Sequence, residues 1–304
     1  MSTILITGGT GLIGAELAGM LREKGHRVLI LSRQASAGNP DVFQWDHNKG
    51  FIDPEAIRQA DFIVHLAGAG VADKRWTKKR KQEIEESRTK TGALLVRALR
   101  DIPNKVQAVI SSSAIGWYGP DPHIPNPDPF QENAPPDKDF LGETCRLWEE
   151  AIQPVTELGK RLVIVRTGIV LARQGGALAE FRKPVRMGTA AILGSGKQVV
   201  SWIHLDDLCR LYCEAIERSD WRGVFNGVAP QPVDNRTLTL GLARRLKGRY
   251  FVPVYVPSFL LKWILGEMSI EVLKSATVSA KKVRSAGFQF VYPSIDAALA
   301  NLLG

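Results

Sequence analysis

The turn Thr7-Gly8-Gly9-Thr10-Gly11-Leu12-Ile13-Gly14 constrains this chain more than any other stretch. It follows the apolar run Ile4-Leu5-Ile6 and leads into apolar positions at Leu12, Ile13, Leu17, Met20 and Leu21, a helical period closed by Gly25-His26. A strand, a glycine turn and a helix in that order are the setting in which Gly8, Gly11 and Gly14 cradle a pyrophosphate. The glycines permit a tight turn, bring backbone N–H groups close to the anion and let helix pack on strand, while the helix dipole favours negative charge.

Further strand-like runs alternate with helical patterns: Val28 to Leu31, Phe62 to Leu66, Ala108 to Ser112 and Leu162 to Val165. Alternation of this kind implies parallel strands joined by crossover helices, so the expected fold is α/β, a Rossmann-type doubly wound parallel sheet. A helix is expected from about Thr77 to Arg100, with a charged first half and apolar Leu94, Leu95, Ala98 and Leu99. Seven prolines between Pro120 and Pro136 exclude a regular element there and suggest an irregular flap beside the cleft. After about Gly175 the pattern is less regular, with helices expected around Phe259 to Leu265 and Ile295 to Leu303. The expected organisation is a nucleotide-binding domain over 1–174, rejoined by 196–224, with 175–195 and 225–304 forming a smaller substrate-side lobe.

A chain of 304 residues, 44% apolar and 23% charged, has the makings of a folded globule rather than a disordered segment. The three cysteines, Cys145, Cys209 and Cys213, show no metal-ligand spacing, so no metal is expected and a reducing compartment fits. No secretory signal is apparent. The longest carboxy-terminal apolar run, Val256 to Leu265, is interrupted by Pro257 and Lys262 and is far shorter than the roughly 20 residues of a membrane span. A cytoplasmic protein without a membrane partner is the expectation. The net charge of +9 (40 minus 31) favours anions, with basic clusters at Lys74-Arg75, Lys78 to Lys81, Arg244 to Arg249 and Lys281 to Arg284. A nucleic-acid module is not recognisable among them.

The second strand ends at Leu31-Ser32-Arg33, where a carboxylate would ordinarily bind the ribose hydroxyls of NAD. Ser32 removes that acid, and Arg33 offers a planar cation to a 2′-phosphate, which favours NADP(H) as cofactor; the other reading of Arg33 is an ordinary surface arginine.

Together with His65-Leu66-Ala67-Gly68, Ala72-Asp73-Lys74-Arg75-Trp76, Ser111 to Ser113, Trp117-Tyr118-Gly119, Arg166-Thr167-Gly168, Gly194-Ser195-Gly196, Trp202-Ile203-His204-Leu205-Asp206-Asp207 and Phe225-Asn226-Gly227, these motifs resemble the extended short-chain dehydrogenases/reductases. The match is to the epimerase-like branch with a distinctive carboxy-terminal domain. The resemblance implies that Gly8, Thr10, Gly11, Leu12, Ile13 and Gly14 cradle the pyrophosphate, that Asp46 lies near the adenine, and that Leu66, Ala67 and Gly68 wall the nicotinamide side. It places a catalytic hydroxyl at Ser113, with Ser112 close enough to exchange registers. Arg166 stands at the end of a strand, to meet the ligand or merely to brace that end.

One departure bears on mechanism. The family's Tyr-x-x-x-Lys pair is missing: none of the five tyrosines has a lysine four residues later, and the helix that should carry the pair reads Phe140-Leu141-Gly142-Glu143-Thr144-Cys145. The helper asparagine is replaced by Ser87 or Arg88. Tyr118 and His204 are therefore the candidate proton-exchanging groups, each with a structural alternative, His204 as a residue bonded within a strand-to-helix turn. Arg75 and Trp76 are candidates for ligand contact. The expected function is an NADP(H)-dependent oxidoreductase or nucleotide-sugar epimerase-like enzyme with a non-standard proton relay, acting on a small-molecule substrate, an anionic compound or a nucleotide sugar. The alternative is a non-catalytic NADP(H)-binding redox sensor; monomer and homodimer are both open.

Overall fold

A computed structural model describes residues 1–34 and 38–304. The strands are β1 (Thr3–Thr7), β2 (Arg27–Ser32), β3 (Val42–Asp46), β4 (Phe51–Ile52), β5 (Phe62–His65), β6 (Ala108–Ala114), β7 (Arg161–Thr167), β8 (Ile169–Leu171), β9 (Thr189–Leu193), β10 (Val199–Val200), β11 (Trp202–His204), β12 (Gly223–Gly227), β13 (Val233–Asp234) and β14 (Val252–Val256). The helices are α1 (Leu12–Glu23), α2 (Pro54–Gln59), α3 (Lys78–Asp101), α4 (Phe140–Ile152), α5 (Gly176–Arg186), α6 (Leu205–Glu217), α7 (Asn235–Lys247), α8 (Ser258–Leu265), α9 (Ser269–Leu273), α10 (Lys281–Ser285) and α11 (Ile295–Leu303).

Eight strands form the main sheet in the order β12-β7-β6-β5-β1-β2-β3-β4. Its pairings are parallel except that of β3 with β4. The chain builds outward from β1 to β4, then crosses back to place β5 on the other side of β1. That reversal opens a crevice beyond the carboxyl ends of β1 and β5, where doubly wound sheets bind their ligands. Ile4, Leu5 and Ile6 are wholly buried, as expected of a central parallel strand covered on both faces. Leu17 and Leu21 of α1 and Leu208 to Ile216 of α6 pack one face; Leu94, Leu95 and Leu99 of α3 and Ile152 of α4 pack the other.

Helix α3 begins one residue after the expected start, because the Thr77 hydroxyl accepts the Arg80 N–H and so makes Thr77 the cap. The proline-rich stretch 119–136 contains no helix or strand. It is held to the carboxy-terminal part by a bridge between Phe130 and Val278 and by Asp121, whose carboxylate accepts from Ser275 Oγ, Thr277 N and Thr277 Oγ1. The strand β12 crosses the expected boundary at 224, since it pairs with β7 through Gly227 and belongs to the main sheet. Beyond the sheet, Leu178 and Val185 of α5, Leu238 and Leu242 of α7, and Leu299 and Leu302 of α11 enclose a separate core around Trp202.

Candidate functional site

The cradle follows from where β1 stops. Gly8 has φ +72°, and a Cβ there would fall 3.0 Å from the carbonyl carbon of Leu66; one on Gly14 would fall 2.3 Å from the Gly8 carbonyl oxygen. Both contacts are with backbone, so neither position has room for a side chain. Helix α1 starts with Gly11 as its cap, without a side-chain cap bond or an acidic residue in its first turn. Its leading N–H groups and the positive end of its dipole are thus directed at space an anion can fill.

Thr7 secures the facing wall. Its hydroxyl accepts the Leu66 and Ala67 N–H groups at 3.1 Å each and sits 2.8 Å from His65 Nδ1. Two accepted bonds leave the hydroxyl hydrogen for Nδ1, which puts the imidazole proton on Nε2, 3.4 Å from Thr91 Oγ1. Burial pushes His65 down to about 3, so it is neutral at physiological pH.

Between these walls lies a cavity of about 730 Å³. Gly8, Thr10 and Gly11 line it from the turn, Leu31 to Gln34 from the end of β2, and Leu66 to Ala69 from the end of β5. Helix α3 contributes Glu83, Ser87 and Thr91, and the turn after β3 contributes His47 and Asn48 beside Trp45. Eight of the expected cofactor positions therefore line one cavity: Gly8, Thr10, Gly11, Ser32, Arg33, Leu66, Ala67 and Gly68. Leu12 and Ile13 open α1 behind the turn, where Ile13 packs against the core and Gly14 against Gly8.

Two expected contacts are elsewhere. Asp46 does not line the cavity, because its carboxylate accepts the N–H groups of Asn48 and Lys49 at 2.9 and 3.3 Å and so closes the turn after β3. Arg166 is buried and wholly engaged: Nε and Nη2 bind the two oxygens of Glu149 at 2.8 and 2.9 Å, Nη1 donates to Tyr118 Oη and to the Glu132 carbonyl at 3.1 Å, and the guanidinium stacks 3.6 Å over Trp117. It braces the strand end.

The candidate proton-exchanging groups are likewise committed away from the cavity. Ser113 Oγ donates to Glu149 Oε1 at 2.7 Å. Tyr118 has no exposed surface, donates to Asn226 Oδ1 at 2.7 Å, and is pushed up to about 12, chiefly by burial. His204 is the cap of α6: Nδ1 accepts the Asp206 N–H, Nε2 meets Asn301 Oδ1 at 3.1 Å, and the ring stacks on Tyr292. Burial lowers its pKa. The turn role competing with catalysis for His204 is the one the geometry gives it, and the motif around Asp206 and Asp207 is a helix start.

On α4, Leu141 and Cys145 face the end of β6; a Cβ on Gly116 would meet them at 3.2 and 3.6 Å. Burial raises the Cys145 thiol to about 12, so this face presents no group that exchanges a proton near neutrality. Of the two residues replacing the helper asparagine, Ser87 reaches the cavity and accepts the Ala69 N–H at 2.9 Å. Arg88 turns away, donating to the Ala69 and Ile84 carbonyls beside the Trp148 ring. Trp76 is buried, its indole bonded to the Val71 carbonyl, and Arg75 donates to the Trp263 carbonyl, joining the two parts of the chain. The sequence reading missed Trp45, His47 and Asn48, and Glu83 and Thr91 of α3; the signal for His47 and Asn48 was a polar turn directly after the third strand. His47 sits below its ordinary pKa, first through burial and then through nearby cations that include Arg33.

A doubly wound sheet with a glycine-cradled cavity at its switch point defines a dinucleotide-binding class, and comparison narrows it. Residues 4–226 match the model of the NAD dependent epimerase/dehydratase family, and residues 256–302 match a domain of unknown function, DUF1731. The chain belongs to the NAD-dependent epimerase/dehydratase family. It is 34% identical over 303 residues to the epimerase family protein YfhF of Bacillus subtilis, covering 99% of this chain and 97% of that protein. The human epimerase family protein SDR39U1, crystallised with NADPH, superposes with a TM-score of 0.88 at 30% identity over 99% of both chains. The UDP-glucuronic acid 4-epimerase of Bacillus cereus, in complex with UDP-glucuronic acid and NAD, shares the fold at a TM-score of 0.77 and 18% identity, over 98% of this chain and 96% of that one.

Proposed function

We propose that this chain binds NADP(H) in the cavity at the β1/β5 switch point and serves as an oxidoreductase of its family, acting on a small carbonyl compound or nucleotide sugar. The observation that carries this reading is the pairing of an uncapped α1 and glycine cradle with Ser32 and Arg33 in the same cavity. Gly8, Thr10 and Gly11 would hold the pyrophosphate, Ser32 and Arg33 the 2′-phosphate, and Leu66, Ala67 and Gly68 the nicotinamide side. The human relative crystallised with NADPH supports the choice of phosphate-bearing cofactor. Bound NADP(H) supplies or accepts a hydride. Reduction of a carbonyl also consumes a proton, and with Ser113 and Tyr118 bonded to Glu149 and Asn226 that proton comes from water rather than from a tyrosine. Three free, buried thiols suit the cytoplasm.

The sealed network around Arg166 also favours a second reading, an NADP(H)-binding redox sensor without turnover. A carbonyl and sugar-nucleotide panel separates the two, since a sensor leaves bound NADPH unoxidised but alters partner binding between NADPH and NADP⁺.

The cofactor assignment is tested by calorimetric titration of the wild type and Arg33→Ala with NADPH and NADH. A charge-assisted bond to phosphate contributes about 1.5–3 kcal/mol, so Arg33→Ala should weaken NADPH roughly 10- to 150-fold and leave NADH unchanged. Equal losses for both nucleotides, or no binding of either, would overturn the assignment.

A further inference from the structure

The cofactor reading leaves two sequence features unused, the apolar run Val256 to Leu265 and the basic cluster Arg244 to Arg249, which β14 joins in the chain, with the Arg249 guanidinium 5.7 Å from the centre of the Tyr250 ring. Of 14 large apolar side chains exposed among the described residues, seven fall between residues 250 and 264, with Tyr250 at 76%, Phe259 at 74% and Trp263 at 78% exposure. Met187, at 80%, joins them because Val252 N–H donates to the Gly188 carbonyl where β14 starts beside β9. Helix α8 is apolar on both its inner and outer sides except at Ser258 and Lys262: Leu261 faces inward, while Phe259, Trp263 and Ile264 face out. A helix of that kind is ordinarily covered, and a clustered apolar surface marks a place of contact.

The chain that builds this surface carries charge of one sign, and the exposed Glu267 that follows α8 is already paired with Lys81. From Asn235 to Gly266 there are six Lys or Arg residues and no Asp or Glu. None of the six takes part in an ion pair among the described residues. A second copy would set cations against cations. Strand addition by a protein partner is disfavoured at the free edge of β14: Val252 N–H points inward to β9, so Pro253 and Tyr255 hold the outward register, and Pro253 has no N–H to give. Nucleic-acid interfaces are polar and wet, unlike a surface of Phe, Trp, Val and Ile. Tyr and Trp rings, apolar from the body and polar at one end, within a cationic field suit the headgroup region of an anionic bilayer.

We propose that the face formed by β14 and α8 is a peripheral docking surface for anionic lipid membranes. No helix among the described residues is long and apolar enough to cross a membrane, so the chain rests on the surface through α8 and its flanking cations without spanning it. This inference is independent of the cofactor assignment.

The test is co-sedimentation of the full chain with phosphatidylcholine vesicles, with and without phosphatidylserine, at low and high salt. Binding should require phosphatidylserine and weaken with salt. Phe259→Ser with Trp263→Ser should abolish it, and Lys247→Gln with Arg249→Gln and Lys262→Gln should reduce it roughly fivefold per charge removed. Because these side chains are exposed, both variants should keep the wild-type melting temperature. No sedimentation with phosphatidylserine vesicles at low salt, binding that survives both variants, or a dimer that Phe259→Ser with Trp263→Ser dissolves would each overturn the proposal.

Discussion

Glu149→Gln probes whether the polar residues at the ends of β6 and β7 serve the ligand or the fold. Glu149 and Arg166 are 8% and 2% exposed and share two bonds of 2.8 and 2.9 Å, with Ser113 adding a third to the same carboxylate. Replacing the carboxylate by an amide leaves the guanidinium charged and largely dehydrated. Breaking one side of a buried pair costs about 3–5 kcal/mol, because the remaining charge has lost its counter-charge. For a chain of 304 residues this corresponds to a fall in melting temperature of roughly 5–8 °C. Denaturant unfolding at neutral pH measures the free energy directly, provided the transition is two-state. Arg166→Met combined with Glu149→Gln should recover part of the loss, since no uncompensated charge then remains. NADPH affinity should be unchanged in Glu149→Gln, as neither residue lines the cavity. A stability loss below about 1 kcal/mol would refute the energetic argument. An NADPH affinity that moves with the variant would restore Arg166 as a ligand-binding residue.

Two further outcomes follow from the cradle and its support. Gly14→Ala places a methyl 2.3 Å from the Gly8 carbonyl oxygen, so the turn must open; an overpacking cost of about 1–3 kcal/mol and loss of most NADPH binding are expected, and retention of wild-type affinity by calorimetry would contradict the geometry. His65, held at about 3, lies below its unfolded value of about 6.5, so its neutral form is the one the fold favours and its contribution is complete above pH 6.5 and lost as pH falls toward 3. The unfolding free energy of His65→Gln should therefore depend less on pH over that window, by about 1.4 kcal/mol per pH unit at most, and an unaltered acid slope in denaturant titrations would refute the assignment.

The fold was readable because its signals are local. Apolar runs of strand length, the Thr7 to Gly14 turn and the helical period after Leu12 each depend on neighbours within about a dozen residues, and β1, α1, β6 and β7 appear where those patterns lie. The lining of the cavity was largely readable for the same reason: Gly8, Ser32 and Leu66 stand at strand ends, and in a doubly wound sheet the strand ends next to the switch point converge. His47 and Asn48 escaped notice because a turn gives no periodic signal of which side chain faces the crevice, and Trp45 because β3 shows no clear alternation.

Residue chemistry alone determined that a dinucleotide-type turn exists, that the second strand ends on Ser32 and Arg33 in place of an acid, and that no tyrosine precedes lysine by four positions. Tertiary structure alone decided what the remaining polar groups do. Arg166, Tyr118, Ser113 and His204 all carry chemistry that could act on a ligand, and their sequence positions suit either role. Only the meeting of Glu149 from α4, Glu132 from the proline-rich stretch, Asn226 from β12 and Asn301 from α11, distant in the chain, turns them into braces and caps. A side chain's reactivity is set by the partners that desolvate and bond it, and those partners are a property of the packed chain.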